Sequence, residues 1–140
     1  MSTPETFVAA SAVPRICIID DDDAVRDSLR DLLHSHGYEV KDFASALDFL
    51  SGGHAASEQF DCAIVDLQMP GLTGLELFDI MQRHACTLPF VMITGRADSA
   101  LKDRARRRGV VAMLDKPVGE NALIDAISKA NTVRTARGHA

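Results

Sequence analysis

Cys62-Ala63-Ile64-Val65-Asp66-Leu67-Gln68-Met69-Pro70-Gly71 decides the fold. A short unbroken apolar run that ends on a carboxylate and a Pro-Gly turn describes a strand buried on both faces, with a charged side chain at its carboxyl end. A helix follows through Leu75, Phe78 and Met81. Upstream, Arg15-Ile16-Cys17-Ile18-Ile19-Asp20 is a second fully buried strand. Asp22 or Asp23 can then cap a helix carrying Val25, Leu29, Leu32 and Leu33, which Gly37 ends. Tyr38 to Phe43 forms a weaker strand, and Ser45 caps a short helix with Leu47 and Leu50 that runs out at Gly52-Gly53. Downstream, Phe90-Val91-Met92-Ile93 is a strand leaving at Thr94-Gly95, residues 98–108 a helix and Val110 to Leu114 a fifth strand. The last helix places Leu123, Ile127 and Ala130 on one face.

Five strands alternating with five helices predict an α/β fold with a parallel sheet covered on both faces. The expected architecture is a doubly wound five-stranded parallel sheet in the flavodoxin-like order 2-1-3-4-5. A chain of 140 residues fits one domain. Residues 1–14 carry a single charged side chain, Glu5, and two prolines, and are expected to form a flexible leader. The domain is expected over 15–133, with 134–140 as a frayed tail. A net charge of -5 speaks against general nucleic-acid binding, which rests on neutralising phosphates. No apolar run reaches the roughly 18 residues of a membrane span, and no secretory signal is visible. Cys17, Cys62 and Cys86 lack a CxxC spacing, and the first two sit in apolar runs as core residues do. A cytoplasmic location is the expectation.

In such folds functional groups gather outside the carboxyl ends of the strands. Those ends supply Asp20-Asp21, Asp66, Thr94 and, through Asp115, Lys116-Pro117. One crevice would then hold three carboxylates, a hydroxyl and an ammonium. Clustered carboxylates repel, so some must protonate or find a cation. Mg²⁺ is suited to one or two carboxylates plus water and phosphate oxygens. A phosphoryl group on one carboxylate would face the metal on one side and Lys116 on the other, with Thr94 donating to it; this is the inventory of phosphoryl transfer. Each residue alone has a plainer reading: the acidic run as a helix cap, Asp66 as a turn former, Thr94-Gly95 as a strand exit, Lys116 as a surface lysine. Their convergence on one side of the sheet favours the functional one.

These residues resemble the receiver domain of bacterial two-component response regulators. The resemblance covers about residues 15–131. It rests on Ile18-Ile19-Asp20-Asp21 with Arg26 five residues later, Val65-Asp66-Leu67-Gln68-Met69-Pro70 with Gly74, Ile93-Thr94-Gly95 and Lys116-Pro117. It implies that Asp66 accepts a phosphoryl group from a phosphohistidine on a histidine kinase or a histidine phosphotransfer protein. It further implies that Asp21 and Asp66 bind Mg²⁺ directly, Asp20 mainly through water, and Gln68 through its backbone carbonyl. Lys116 would pair with the phosphoryl group, Thr94 would report it, and the Lys116–Pro117 peptide would often be cis. Asp21-Asp22 is an alternative register for the acidic pair, but the spacing to Arg26 favours Asp20-Asp21. Met113 stands where the family usually carries Tyr or Phe, and Val118 where Phe often follows Lys-Pro. Gln68 and Arg96 occupy positions that tune dephosphorylation in the family.

The resemblance implies a signalling phosphoprotein rather than an enzyme, with Mg²⁺-dependent self-phosphorylation and slow autodephosphorylation. Output is expected through a partner protein, as a phosphate shuttle or as a sink for a kinase, with a receiver fragment of a longer product as the alternative; the chain is expected to be a monomer or weak dimer. Residues 97–130 are the expected surface, holding Lys102, Arg104, Arg106, Arg107 and Arg108 either as a solvated face or as a docking strip for an acidic partner. Two rivals are a binding module independent of phosphorylation and a phosphatase of the haloacid dehalogenase type. The second finds its D-x-D-x-[TV] pattern in Asp21-Asp22-Asp23-Ala24-Val25 but leaves Asp66 without a task.

Overall fold

The computed structural model describes residues 13–52, 59–95 and 99–138, with side chains as far as 133. Strands β1 (Arg15–Ile19), β2 (Glu39–Phe43), β3 (Cys62–Asp66), β4 (Phe90–Thr94) and β5 (Ala112–Asp115) form one sheet in the order β2-β1-β3-β4-β5. Every pairing is parallel. Helices α1 (Asp23–Ser35), α2 (Ala46–Leu50), α3 (Gly74–Arg83), α4 (Ser99–Arg108) and α5 (Glu120–Gly138) alternate with the strands. The expected fold class and strand order are therefore what the structure has.

The apolar runs are unbroken because each central strand feeds two cores. Cys17, Ile19, Ala63, Val65, Phe90 and Met92 point to one face, where Phe49, Leu75, Phe78, Met81 and Ala105 cover them. Ile16, Ile18, Cys62, Ile64, Val91 and Ile93 point to the other, against Leu29 and Leu33 of α1 and Leu123, Ile127 and Ala130 of α5. The edge strand β2 is only half-buried, which matches its weaker pattern.

Local signals set the helix starts. Asp22, rather than Asp23, is the N-cap of α1, its Oδ1 accepting from the N–H groups of Ala24 (2.9 Å) and Val25 (3.3 Å). Ser45 caps α2 through the N–H of Asp48. Thr73 and Glu76 form a reciprocal capping box at α3. Gly37, at φ 87°, turns the chain after α1 where an L side chain would be strained.

Several boundaries differ from expectation, and the first two strands are each one residue shorter. The fifth strand begins at Ala112 rather than Val110 and includes Asp115. Gly109 takes φ 104° after α4, and Val110 and Val111 are used in returning the chain to the sheet, where the Val111 N–H donates to Phe90 O at 2.8 Å. The last helix runs to Gly138, past the tail boundary expected at 133. The leader expected at 1–14 lies outside the described residues through residue 12, as does residue 98 before α4. No helix among the described residues is long and apolar enough to cross a membrane.

Cys17 and Cys62 are buried and unpaired by disulfides. Burial pushes the Cys17 thiol well up and the Cys62 thiol up to about 12, from an ordinary value of 9.0. A raised folded-state pKa means that the stability present below pH 9 is lost as pH climbs towards the folded value, because only the unfolded thiol ionises there. We expect Cys62 to contribute about 1 kcal/mol of lost stability per pH unit in that window. Urea unfolding of wild type and Cys62→Ala at pH 8 to 11 should show a shallower alkaline decline in the variant; parallel curves would refute this.

Candidate phosphoryl-transfer site

The order β2-β1-β3 reverses the direction of winding between β1 and β3, and the crevice lies above their carboxyl ends. Asp20 follows β1 directly and is fully buried, while Asp66 closes β3 at 4% exposure. One carboxylate oxygen from each of Asp20, Asp21 and Asp66 lies within 4.8 Å of the others. Asp21 is exposed and faces solvent at the mouth. Thr94, at the end of β4, is buried, and its carbonyl accepts from the Lys116 N–H at 2.9 Å. That bond joins the end of β4 to the residue after β5, and the Lys116 side chain crosses to the acidic group. Its Nζ is 3.0 Å from Asp20 Oδ2 and donates to Asp66 Oδ2 at 3.3 Å.

The charges are unevenly satisfied. Asp20 Oδ1 accepts from the Asp22 N–H at 2.8 Å, and Asp66 Oδ1 from the Gln68 N–H at 3.2 Å. Asp20 Oδ2, although near Lys116, has no aligned hydrogen-bond donor. Burial, and then the charge of Asp20, hold the Asp66 carboxyl above its ordinary value against the pull of the Gln68 N–H and Lys116. Burial works to lower the Lys116 pKa, but Asp20 and then Asp66 outweigh it and hold the ammonium above its ordinary value. A buried carboxylate oxygen without an aligned donor, beside two more carboxylates, is a donor set for a hard divalent cation. Asp20, Asp21 and Asp66 therefore fit Mg²⁺.

The two acidic registers differ in geometry. Asp22 spends its side chain on the α1 cap, so Asp20-Asp21 is the pair that reaches Asp66. Asp23 forms an ion pair with Arg26 and is 86% exposed. Asp23 is not part of the carboxylate cluster of Asp20, Asp21 and Asp66. The Lys116–Pro117 peptide is cis. Gln68 is exposed and its N–H faces Asp66. Arg96 lies outside the described residues. Met113 is partly buried and packs on the core that holds Phe78 and Phe90.

Three contacts were not anticipated from the sequence. Arg26 donates to the backbone carbonyl of Asp20 at 2.6 Å. Asp42 on β2 holds Arg30 at 2.6 Å and lies 3.8 Å from Arg26. At Gly74 an added Cβ would lie 2.3 Å from the Asp66 carbonyl oxygen, so α3 can start against the end of β3 only without a side chain there. Gly74 belonged to the pattern that carries the resemblance, but nothing in the sequence showed what it lies against. Arg26 was visible only as a spacing, and Asp42 carried no signal.

A doubly wound parallel sheet with three carboxylates and a lysine at its switch point defines a class of acidic-pocket α/β domains. Comparison with known families narrows it. Residues 16–128 match the response regulator receiver domain, and the chain belongs to that family. It is 39% identical over 115 residues to the transcriptional regulatory protein FixJ of Bradyrhizobium diazoefficiens, covering 82% of this chain and 55% of that protein. It is 36% identical over 121 residues to the tetrathionate response regulatory protein TtrR of Salmonella typhimurium, covering 86% and 58%. Among solved structures, the response regulator StyR superposes with TM-score 0.82 at 38% identity, over 91% of this chain and 64% of that one. A receiver domain protein from Clostridium thermocellum superposes with TM-score 0.82 at 25% identity, over 89% and 98%. The chain spans about half the length of the curated relatives it matches. Receiver domains bind Mg²⁺ at an acidic aspartate cluster, and this chain has that cluster.

Two outcomes test the geometry. Asp66→Asn removes a carboxylate that burial and Asp20 disfavour, while Lys116 keeps Asp20. In metal-free buffer at pH 7 it is expected to be more stable by about 1 kcal/mol or less, since solvent at the open side screens the pocket. Because the raised pKa penalises only the ionised form, the gain should fade as pH falls from the raised folded value towards the ordinary 3.8, and be gone below it. Thermal melts across pH decide it, and a gain unchanged in acid would refute the electrostatic cause. Gly74→Ala should lower stability by about 1–3 kcal/mol through overpacking, despite alanine's better helix propensity. Urea unfolding with no loss would mean that α3 shifts freely.

Proposed function

We propose that this chain is a phosphorylation switch whose Asp66 accepts a phosphoryl group from a phosphohistidine on a histidine kinase or phosphotransfer protein. The observation that carries this reading is the Lys116 ammonium within 3.3 Å of Asp66 Oδ2 and 3.0 Å of Asp20 Oδ2, at the mouth of a three-carboxylate pocket. An Asp66 carboxylate oxygen attacks phosphorus, the O–P bond forms as the N–P bond of the donor breaks, and the departing imidazole nitrogen keeps the electron pair and takes a proton. Asp20, Asp21, Asp66 and the Gln68 carbonyl would hold Mg²⁺, which supplies positive charge to phosphoryl oxygens and no proton chemistry. Lys116 supplies the opposing positive charge and Thr94 a hydroxyl donor. Slow hydrolysis of the acyl phosphate would reset the switch without making the chain an enzyme for an external substrate.

Relatives such as FixJ are named transcriptional regulators and are about twice as long as the matched region. For this chain we place output on a partner protein that reads the surface formed by residues 97–130. Charge alone gives that surface little selectivity. Lys102 pairs with Asp115, Arg106 with Asp103 and Arg108 with Asp79, so among the described residues only Arg104 and Arg107 of the five basic side chains lack an ion pair. A solvated face therefore accounts for most of the strip. Neither nucleic acid nor membrane is a partner in this reading.

The test is incorporation of an acid-stable, base-labile phosphoryl group from acetyl phosphate or a histidine kinase. Labelling is expected in wild type with Mg²⁺, is expected to fall at least about a hundredfold in Asp66→Asn, and should be abolished by chelation. No labelling from either donor would sink the reading.

A further inference from the structure

We infer that Arg26 is a positioning residue for the metal pocket, fixing the Asp20–Asp21 peptide so that both carboxylates meet Asp66. This rests on the metal role proposed above for Asp20 and Asp21. The Arg26 side chain is only 14% exposed and its Nη1 donates to the Asp20 carbonyl oxygen at 2.6 Å, a charge-assisted bond. That carbonyl belongs to the peptide linking the two aspartates. The Asp20 N–H donates to Phe43 O at 3.2 Å, and Asp20 Oδ1 accepts from the Asp22 N–H. With Arg26 in place, the backbone of Asp20 is held on both sides and its carboxylate is held by one oxygen, leaving Oδ2 aimed into the pocket without an aligned donor.

The guanidinium itself is anchored. Its Nη2 pairs with Asp23, and its Nε lies 3.8 Å from Asp42 Oδ2. Asp42 sits near the end of β2, opposite Ile18, and is clasped by Arg30 at 2.6 Å. The chain Asp42–Arg26–Asp20 thus ties the edge strand to the pocket. Arg26 binds the backbone oxygen and leaves the carboxylate oxygens to the cation. A lysine placed there would keep the charge but lose the planar fork that contacts Asp20, Asp23 and Asp42 together.

The experiment is a Mg²⁺ titration of the full chain, followed by the amide resonances of Asp21 and Gln68, with melts of every variant in metal-free buffer. Arg26→Gln is expected to weaken Mg²⁺ binding roughly tenfold, as loss of a group orienting metal ligands does. Arg26→Lys should recover only part of that loss, and Asp42→Asn should weaken binding about threefold in the same direction. Affinities within about twofold of wild type in Arg26→Gln and Asp42→Asn would overturn the inference. Tighter binding in Arg26→Gln would also overturn it, because the guanidinium would then act only as a repelling charge. Should Arg26→Gln fail to fold, Asp42→Asn decides alone, since it leaves every contact of the Asp20 backbone intact. Failure of the phosphoacceptor reading is separable: wild type would bind Mg²⁺ yet take no label on Asp66, and the titrations would still judge Arg26.

Discussion

The Lys116 ammonium set between Asp20 and Asp66 is the interaction on which the rest of the site depends. Two carboxylates buried side by side at the ends of β1 and β3 repel one another and are poorly solvated. Lys116 offsets part of that cost from one direction, and its own place is fixed by the β4–β5 register through the bond to Thr94 O. Sheet order is therefore an electrostatic constraint as much as a topological one. A different neighbour for β4 would leave the aspartates without their cation.

How much of this was legible in the sequence follows from where each interaction is encoded. Buried runs such as Cys62–Val65 and Phe90–Ile93 announce central strands, because only a strand covered on both faces is apolar at every position. Their last residues then locate the pocket, and Asp20, Asp21, Asp66, Thr94 and Lys116 all come to one crevice or its rim. The functions given to those residues rest on the family resemblance and remain proposals. The choice between Asp20-Asp21 and Asp21-Asp22 turns on the Asp22 cap, a local interaction whose consequence for the pocket shows only once α1 is placed. Asp42 was illegible for a different reason. It lies on a half-buried edge strand, and its partners Arg26 and Arg30 come from a helix whose azimuth depends on core packing by Leu29 and Leu33. The early start given to β5 has a local origin: Val110 and Val111 carry strand propensity, but Gly109 sends the chain through a turn first.

The basic residues of α4 show how pairing changes the meaning of a charge run. Lys102 reaches forward to Asp115, beside Lys116, while Arg108 reaches sideways to Asp79 on α3. Exposed pairs of this kind contribute little stability each. They connect α4 to the end of β5 on one side and to α3 on the other. Met113, half-buried on the core below, offers flexible packing where an aromatic ring would favour two discrete positions. The proposed switch would therefore have no aromatic ring at position 113 to rotate.

The incomplete neutralisation of the pocket would also explain how such a site responds. A ligand shifts a conformational equilibrium only by its differential affinity for the two states. Here the metal-free pocket holds Asp66 above its ordinary pKa and leaves Asp20 Oδ2 without an aligned donor. Adding positive charge relieves both conditions, and a phosphoryl group on Asp66 then brings about -1.5 to -2 charges to the place Lys116 already faces. Lys116 would be drawn towards the new oxygens and away from Asp20, pulling on the backbone that joins it to Thr94. On the proposed function, repulsion in the metal-free pocket would supply part of the free-energy difference that a cation and a phosphoryl group release.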